Sequence, residues 1–327
     1  MTSFAAAVCK SLGGPSAIAI QRIKEVRLQP GEVRVRVCAA GVNFPDLLMT
    51  QGRYQLKPEP PFTPGMEIAG EVIEVGKDAN AVLGARVCAS MRLGGFAEQV
   101  TVPDSVLRPW PEGYNAQQAA AFYVAAATAW HALIDRAALK ADERLLVLGA
   151  GGGVGLAAVQ LGRALGAVVV AAARNKSRLD AAGRAGAVNA VDFSAGSLRV
   201  GVEAIYGKRA IDVVLDPVGG EVANEAAACL DWGGRYLVVG FASGQIPTIA
   251  FNRILLAGYS VVGVRAGEHV RRDGMSAKES TSGLLSTAEN HDLRPVIGLT
   301  LPLSRAGEAL AALELGGLVG KAVLIPD

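Results

Sequence analysis

The sequence predicts an α/β protein in which a doubly wound parallel sheet interrupts a β-rich domain. Three observations predict this class. A glycine-rich turn follows a buried apolar strand near the middle of the chain, and strand and helix patterns alternate after that turn. The region before the turn instead shows the polar–apolar alternation of half-buried strands, broken by proline and glycine.

Residues 1–110 favour β structure. Val33–Cys38 reads VRVRVC, which alternates as expected for a strand with one buried face. Further strands are expected at Ile68–Val75 and Gly95–Val102. Ala116–Leu139 is rich in alanine and is expected to be helical, so the β-rich part ends before it.

The glycine-rich turn at residues 149–155 predicts a dinucleotide site. Leu145–Leu148 is an apolar run typical of a strand buried on both faces, and Val154–Leu165 is expected to be a helix. The helix amides and dipole favour a phosphate at its start. The match to G-x-G-x-x-G is imperfect, because Ala150 replaces the first glycine. A simple tight turn is the alternative, but the flanking strand and helix favour dinucleotide binding.

The charge after the second strand, Val168–Ala172, favours NADPH over NADH. NAD-selective sites place a carboxylate about 20 residues after the glycines, where it holds the ribose 2′-hydroxyl. Here that position holds Arg174, and Lys176 and Arg178 follow before the first carboxylate, Asp180. These side chains suit a 2′-phosphate. A solvated basic helix start is the alternative, although basic residues there oppose the helix dipole.

The alternation continues to about residue 264 and then gives way to mixed structure. The expected elements are strands at Val188–Phe193, Ile211–Asp216, Arg235–Gly240 and Ser260–Val264, a helix at Glu221–Leu230, a later helix at Ser304–Leu315 and a last strand at Ala322–Ile325. We therefore predict a substrate domain at 1–122, a nucleotide-binding domain at 123–264, and a return to the substrate domain at 265–327. A domain inserted in this way creates a cleft suited to a small molecule.

Composition agrees with a small-molecule enzyme of the cytoplasm. The net charge of +2 implies neither nucleic acid nor an anionic membrane as a partner. The chain has no apolar run of transmembrane length and no signal-peptide layout at its start. The four cysteines lack C-x-x-C spacing, which suggests reduced thiols rather than a disulfide frame.

The chain resembles the medium-chain dehydrogenase/reductase superfamily, and within it the zinc-free quinone oxidoreductases related to zeta-crystallin. The resemblance runs from end to end and implies a Rossmann domain inserted in a GroES-like domain. It rests on separate blocks in the right order: GVNFPDLLMTQGRY (41–54), PFTPGMEIAGEVIEVG (61–76), GGFAEQVTVP (94–103), VLGAGGGVGLAAVQLGRALGA (147–167), GGRYLVVGFASG (233–244) and GKAVLIP (320–326).

The resemblance implies that no metal is bound. Zinc-dependent relatives hold their metal at the positions that here carry Asn43, Met66 and Val124, and these are not competent zinc ligands in this context. The three histidines, His131, His269 and His291, are too dispersed along the chain to predict a metal site from spacing. Without zinc to polarise a carbonyl, hydride delivery to an electron-poor quinone or enone fits better than alcohol oxidation.

The resemblance also assigns roles to individual residues. Asn43 and Thr128 are expected near the nicotinamide, and Tyr54 is the candidate proton donor or quinone-stacking residue. Thr128 is also compatible with an ordinary helix residue, Tyr54 with simple packing, and Asp46 with a helix cap in preference to a catalytic role. The other expected cofactor contacts are Gly152, Gly153, Val154 and Gly155 at the pyrophosphate, Arg174 and Arg178 at the 2′-phosphate, and Gly240, Phe241 and Val264 beside the nicotinamide. Phe193 is also expected near the 2′-phosphate, but it replaces a tyrosine of many relatives, and the lost hydroxyl weakens that side of the site.

The leading hypothesis is therefore an NADPH:quinone oxidoreductase. Reduction of an activated C=C bond in a 2-alkenal or enoyl thioester uses the same cofactor chemistry and stays open. A crystallin-like protein that binds NADPH without turnover is a third interpretation, because fold does not dictate function. The resemblance also implies a homodimer, because relatives pair two subunits edge to edge through the strand that matches Ser260–Val264. An apolar unpaired edge would be a liability in a monomer.

Overall fold

The computed structural model describes residues 2–327. The chain forms two compact units: a split unit, which runs to Val124 and resumes at Arg294, and an inserted unit, Ala125–Leu293. The predicted fold class is confirmed, because the split unit is built on a largely antiparallel sheet and the inserted unit on a parallel one.

The elements are numbered in chain order. The strands are β1 (Ser3–Cys9), β2 (Ile18–Lys24), β3 (Glu32–Val42), β4 (Glu67–Val75), β5 (Arg86–Ser90), β6 (Gln99–Pro103), β7 (Leu107–Pro109), β8 (Arg144–Leu148), β9 (Val168–Ala173), β10 (Asn189–Asp192), β11 (Ile211–Asp216), β12 (Leu230–Val238), β13 (Ser260–Gly263), β14 (Ile297–Pro302) and β15 (Lys321–Ile325). The helices are α1 (Phe44–Thr50), α2 (Ala116–Ala120), α3 (Tyr123–Trp130), α4 (Gly153–Ala164), α5 (Lys176–Ala185), α6 (Leu198–Tyr206), α7 (Val222–Ala228), α8 (Phe251–Ala257), α9 (Ala266–Arg272), α10 (Gly274–His291) and α11 (Ala306–Glu314). A π-helical turn, His131–Arg136, follows α3. Between residues 2 and 327, no helix has the length and apolarity needed to cross a membrane.

The sheet of the split unit has the strand order β14-β15-β3-β4-β5-β7, with β6 also paired to β3. The alternation in β3 places Val33, Val35 and Val37 in the core, each contributing about 1.5–3 kcal/mol by burial. The third predicted strand begins late, at Gln99. The residues before it form a loop in which the Phe96 amide donates to the Pro64 carbonyl at 2.9 Å.

The sheet of the inserted unit is parallel throughout, with the order β10-β9-β8-β11-β12-β13. The order reverses between β8 and β11, and ligands of open α/β sheets bind beside such a reversal, at the carboxyl ends of the strands. β12 starts at Leu230, earlier than predicted, because a bulge lets Leu230 pair with Ile211 and Arg235 with Val213. Gly233 takes a φ of 77° in that bulge.

The chain returns to the split unit at Arg294 rather than at residue 265. The intervening helices α9 and α10 pack within the inserted unit. A Cβ on Gly283 of α10 would lie 2.7 Å from the Trp130 ring, so helix and ring are in close contact. Contacts of this kind, which join residues far apart in sequence, keep α9 and α10 in the inserted unit.

Candidate active site

The glycine turn joins β8 to α4 as the sequence predicts. Gly149 has a φ of 59°, which favours glycine. A Cβ on Gly155 would lie 2.2 Å from the Gly149 oxygen, so turn and helix touch backbone to backbone. Gly152 is the N-cap of α4 and has no side chain to shield the first amides. The helix start can therefore receive an anionic group.

Two arginines lie at the carboxyl end of β9, beside this turn. The Arg178 side chain packs on Gly151, where a Cβ added to the glycine would fall 2.4 Å from the Arg178 Cβ. The Arg178 backbone amide donates to the Asn175 side chain at 2.9 Å, which caps α5. Burial lowers the pKa of Arg178, yet guanidinium stays protonated in proteins.

Arg174 is exposed, and its guanidinium carbon lies 5.4 Å from the centroid of the Phe193 ring. Phe193 thus supports Arg174 by a cation–π contact, whatever further contact it makes. Lys176 points away into an exposed ion pair with Asp180 at 3.0 Å. The two arginines and the glycine turn together form a positive rim at this edge of the sheet.

The loops after β11 and β12 complete the same carboxyl edge. Oδ1 of the buried Asp216 accepts the amides of Val218 at 2.7 Å and Gly219 at 2.8 Å. Its Oδ2 accepts the Tyr236 hydroxyl at 2.6 Å, and burial raises the pKa of that hydroxyl. Because Val218 lies against Gly149, this network fixes the loop after β11 beside the glycine turn.

Three further predicted cofactor contacts lie at this edge. The Gly240 amide donates to the Asp216 carbonyl at 3.3 Å, and the Val264 amide donates to the Val238 carbonyl at 2.9 Å. Phe241 lies against Gly219. Thr128 also belongs to the inserted unit, half-buried on α3. Asn43 and Tyr54 belong to the split unit and are described there.

A buried polar network in the split unit centres on Lys321, at the start of β15. Its ammonium donates to Asn43 Oδ1 at 2.5 Å and to Glu67 Oε1 at 2.7 Å. The Asn43 side-chain Nδ2 donates to the same Glu67 oxygen at 2.9 Å, and the Val124 backbone amide donates to Glu67 Oε2 at 3.0 Å. Asn43, Glu67 and Lys321 are each at most 6% exposed. Such a network favours a single side-chain arrangement, because each of its three members is hydrogen-bonded to the other two.

Asp46 fixes the position of Asn43. Asn43 is the N-cap of α1, and its backbone amide donates to Asp46 Oδ2 at 2.9 Å. The other carboxyl oxygen accepts the Gly65 amide at 3.0 Å. Burial raises the pKa of Asp46 to about 7. The two amide donors and the charge of Lys321 act in the opposite direction and lower it, but burial outweighs them. Asp46 thus takes part in capping α1 as the N3 member of a capping box, while the N-cap itself is Asn43.

Tyr54 lies in the loop after α1 and is half-buried. Its side chain packs against a small cluster formed by Cys9, Met49 and Phe62, and Met66 packs against the same cluster. The packing interpretation of Tyr54 thus has a physical basis. A role towards substrate stays a prediction.

The donor set at Asn43, Met66 and Val124 does not fit zinc. Zinc sites use thiolate, imidazole or carboxylate, whereas these positions offer an amide, a thioether and an aliphatic group. The neighbouring carboxylate, Glu67, accepts hydrogen bonds at both oxygens. The Lys321 ammonium adds a positive charge that opposes a cation there.

Lys321 is a candidate site residue that the sequence did not single out. A lysine at the start of a terminal strand normally reads as exposed, although it stands in the quoted block GKAVLIP. Its side chain is buried because β15 pairs with β3, the strand that leads into Asn43. The apolar residues that follow it, AVLI, are the available signal that the strand lies in the core.

Comparisons with known proteins agree with this architecture. Residues 153–279 match the family model described as zinc-binding dehydrogenase, and residues 29–112 match the alcohol dehydrogenase GroES-like domain. The chain is 35% identical to quinone oxidoreductase-like protein 2 of Bos taurus, covering 98% of this chain and 92% of that protein.

Two solved structures are similar over nearly the whole chain. The quinone oxidoreductase of Thermus thermophilus, whose structures include a complex with NADPH, is 36% identical with a TM-score of 0.83 and covers 98% of this chain and 99% of its own. A probable oxidoreductase from Mycobacterium abscessus is 35% identical with a TM-score of 0.90 and covers 99% of each chain.

Proposed function

Because the chain belongs to the medium-chain dehydrogenase/reductase superfamily, among its quinone oxidoreductase-like members, we propose that it is an NADPH-dependent quinone oxidoreductase that needs no catalytic metal. The family is one of oxidoreductases, and the inserted unit has the parallel sheet order of a dinucleotide-binding domain. The choice of cofactor, the metal independence and the quinone are the proposal.

The residues at the carboxyl edge of the inserted unit support NADPH as the cofactor. Gly152, Gly153, Val154 and Gly155 would hold the pyrophosphate on the uncapped start of α4. Arg174 and Arg178 would hold the 2′-phosphate by charge-assisted hydrogen bonds. Thr128, Asn43, Gly240, Phe241 and Val264 would orient the nicotinamide, which supplies a hydride when bound.

The observation that carries metal independence is the Lys321 ammonium between Asn43 and Glu67. In such a site the buried ammonium and the hydrogen-bonded carboxylate hold the side chains in place without a metal ion. Such a lining does not offer the ligands of a Lewis-acid metal, which alcohol–carbonyl chemistry uses. An acceptor that is already electron-poor, such as a quinone, needs only orientation and exclusion of water. We propose that Tyr54 stacks on the quinone or donates its proton.

Anaerobic NADPH oxidation with a series of quinones and a series of 2-alkenals tests this substrate class. We expect the higher kcat/KM for quinones. A much higher value for alkenals would make the protein a reductase of activated C=C bonds. NADPH binding with no turnover of either series would instead support a crystallin-like binding role.

We also propose a homodimer formed through β13. This edge strand is mostly exposed, and large exposed apolar side chains lie on β13, on its paired strand β12 and on the preceding helix α8. They are Trp232, Phe251, Leu255, Leu256 and Val261, of which Phe251 is 86% exposed. An exposed apolar edge of this kind favours pairing with a second sheet.

Light scattering on Leu255→Glu/Val261→Glu tests the dimer. We expect a dimer for the wild type and a monomer for this variant. Val200→Glu, which changes an exposed valine on α6, is the matched control and should stay dimeric. A monomeric wild type at micromolar concentration would refute the interface.

We propose the cytoplasm as the place of action. Cys9, Cys38, Cys88 and Cys229 are free thiols, and burial raises the pKa of Cys88 and Cys229, which keeps them protonated and unreactive. Such thiols suit a reducing compartment. Cell fractionation with an antibody to the protein would test this.

A further inference from the structure

Two of the three histidines, which the sequence places far apart, meet in the inserted unit. His131 Nδ1 lies 2.9 Å from Asp135 Oδ2, and His269 Nε2 lies 3.7 Å from the same oxygen. One ligand atom from each of the three residues falls within 4.8 Å of the others. Spacing along the chain could not show this pair, because it forms only where α9 folds back beside the end of α3.

The local backbone explains how the three side chains converge. His131 and Asp135 lie in the π-helical turn that follows α3, where the Ala137 amide donates to the Ala132 carbonyl at 3.0 Å. π-helical turns are rare in proteins, and those that occur are often found at functional sites. The His269 ring stacks on the His131 ring, with centroids 4.5 Å apart and planes at 16°.

Neighbouring hydroxyl groups orient the cluster. Ser280 Oγ donates to both Asp135 oxygens, at 3.3 and 3.2 Å, and Ser276 Oγ lies 3.4 Å from His269 Nε2. The Ser280 bond to Asp135 Oδ1 can hold that carboxylate while Oδ2 binds an ion, whereas His269 Nε2 has to exchange its contact with Ser276 for the ion. The three ligand side chains are only 10–20% exposed, so they are mostly sheltered yet reachable from solvent.

The geometry suits a small divalent transition metal. Bonds of about 2.0–2.2 Å in a tetrahedral site place neighbouring ligand atoms about 3.3–3.6 Å apart. The 2.9 and 3.7 Å separations bracket that value. Binding one ion also requires the two imidazole rings, which are nearly parallel, to turn so that a nitrogen of each points at it. Two imidazoles and one carboxylate are ligands that zinc accepts, and a water would fill the fourth position.

We propose that His131, Asp135 and His269 bind one Zn²⁺ ion, which clasps the end of α3 to α9. The ion links two segments of the inserted unit that are distant in sequence, so it stabilises the packing of α9. This site is separate from the positions of Asn43, Met66 and Val124, and it has no part in the proposed hydride transfer. It does not rest on the proposed function.

Zinc titration of the full-length, metal-stripped protein against a chromophoric chelator tests the proposal. We expect one equivalent of Zn²⁺ per chain, with at least a tenfold loss of affinity in His131→Ala and in His269→Ala. His291→Ala removes the exposed third histidine and is the matched control, so its affinity should equal that of the wild type. Circular dichroism would verify folding, and Asp135→Asn provides a conservative third variant if an alanine variant unfolds.

A second readout follows Co²⁺ in place of Zn²⁺. A tetrahedral site gives visible ligand-field absorption, which we expect in the wild type and in His291→Ala but not in His269→Ala. No zinc binding by the wild type, or equal affinity in His269→Ala and His291→Ala, would overturn the proposal. Turnover of NADPH by the stripped protein, measured in parallel, reports on the proposed function separately.

Discussion

Removing the charge at Arg174 should weaken NADPH binding and spare NADH. The guanidinium is exposed beside the glycine turn and rests on the Phe193 ring at 5.4 Å, so its loss leaves the core intact. Arg178 needs a different substitution, because its Cβ and Cγ pack on Gly151. Arg178→Met keeps those two carbons and removes the charge.

The expected size follows from the bonds lost. A hydrogen bond between charged partners contributes about 1.5–3 kcal/mol net, so each single variant should weaken NADPH binding by about 10- to 100-fold. The cation–π contact of Arg174 with Phe193 is worth only about 0.5–1 kcal/mol at an exposed site. NADH has no 2′-phosphate, so its Kd should change by no more than about twofold, the size expected for a substitution that does not touch the ligand.

Isothermal titration of both cofactors into the wild type, Arg174→Ala and Arg178→Met gives the comparison. Arg184→Ala is the control, since it removes the same charge from the last turn of α5. The selectivity for NADPH should also shrink as salt rises, because the pair is partly exposed. Equal losses for NADPH and NADH, or an Arg184→Ala effect as large as that of Arg174→Ala, would refute the reasoning.

Three further substitutions test the turn and the buried network. Gly155→Ala should cost about 1–3 kcal/mol and impair NADPH binding, because its Cβ would meet the turn backbone at 2.2 Å. Thermal melts would show this against Gly183→Ala on α5, whose Cβ meets nothing within 4 Å and which should be neutral or stabilising. Lys321→Met should cost about 3–5 kcal/mol in urea unfolding, because it strands a buried carboxylate; Arg36→Met, in an exposed ion pair, should cost at most about 1 kcal/mol. The Asp46 carboxyl binds its proton more tightly in the folded protein, because its pKa is raised to about 7. Its contribution to stability is therefore full below about pH 4 and is lost as the pH rises to about 7. In unfolding experiments across this range, Asp46→Asn should flatten the dependence of the unfolding free energy on pH, and an unchanged dependence would contradict the assignment.

The sequence was most informative where strands are buried on both faces. β11 has the bounds expected from Ile211–Asp216, and β8 differs only by beginning at Arg144. Continuous apolar runs bounded by glycine or charge identify such strands without tertiary information. The position of Arg178 beside Gly151 follows from the same pattern. Gly151 comes after β8 and Arg178 comes after β9, and these two strands are parallel neighbours.

Elsewhere the deciding contacts are long-range. β12 begins early because Leu230 pairs with Ile211 ahead of a glycine-containing bulge, which no local pattern reveals. The return to the split unit at Arg294 depends on how α10 packs against the Trp130 ring. The meeting of His131 with His269 has the same origin.

The buried network shows a second limit. Lys321 and Glu67 each look like surface residues in the sequence, because unpaired charges are rarely buried. Their burial is tolerated since each satisfies the other and Asn43 completes the set. Charge pairing across a sheet is set by register, and register is a property of the whole fold.

The most direct test of the account is single-turnover NADPH oxidation by the metal-stripped protein. The protein is treated with chelator, shown by mass spectrometry to hold no zinc, mixed anaerobically with NADPH and a benzoquinone, and followed by the absorbance of the reduced nicotinamide. We expect a rate equal to that of the untreated protein, also in His269→Ala. Loss of hydride transfer on stripping, with recovery on adding Zn²⁺, would contradict metal-independent reduction at this site.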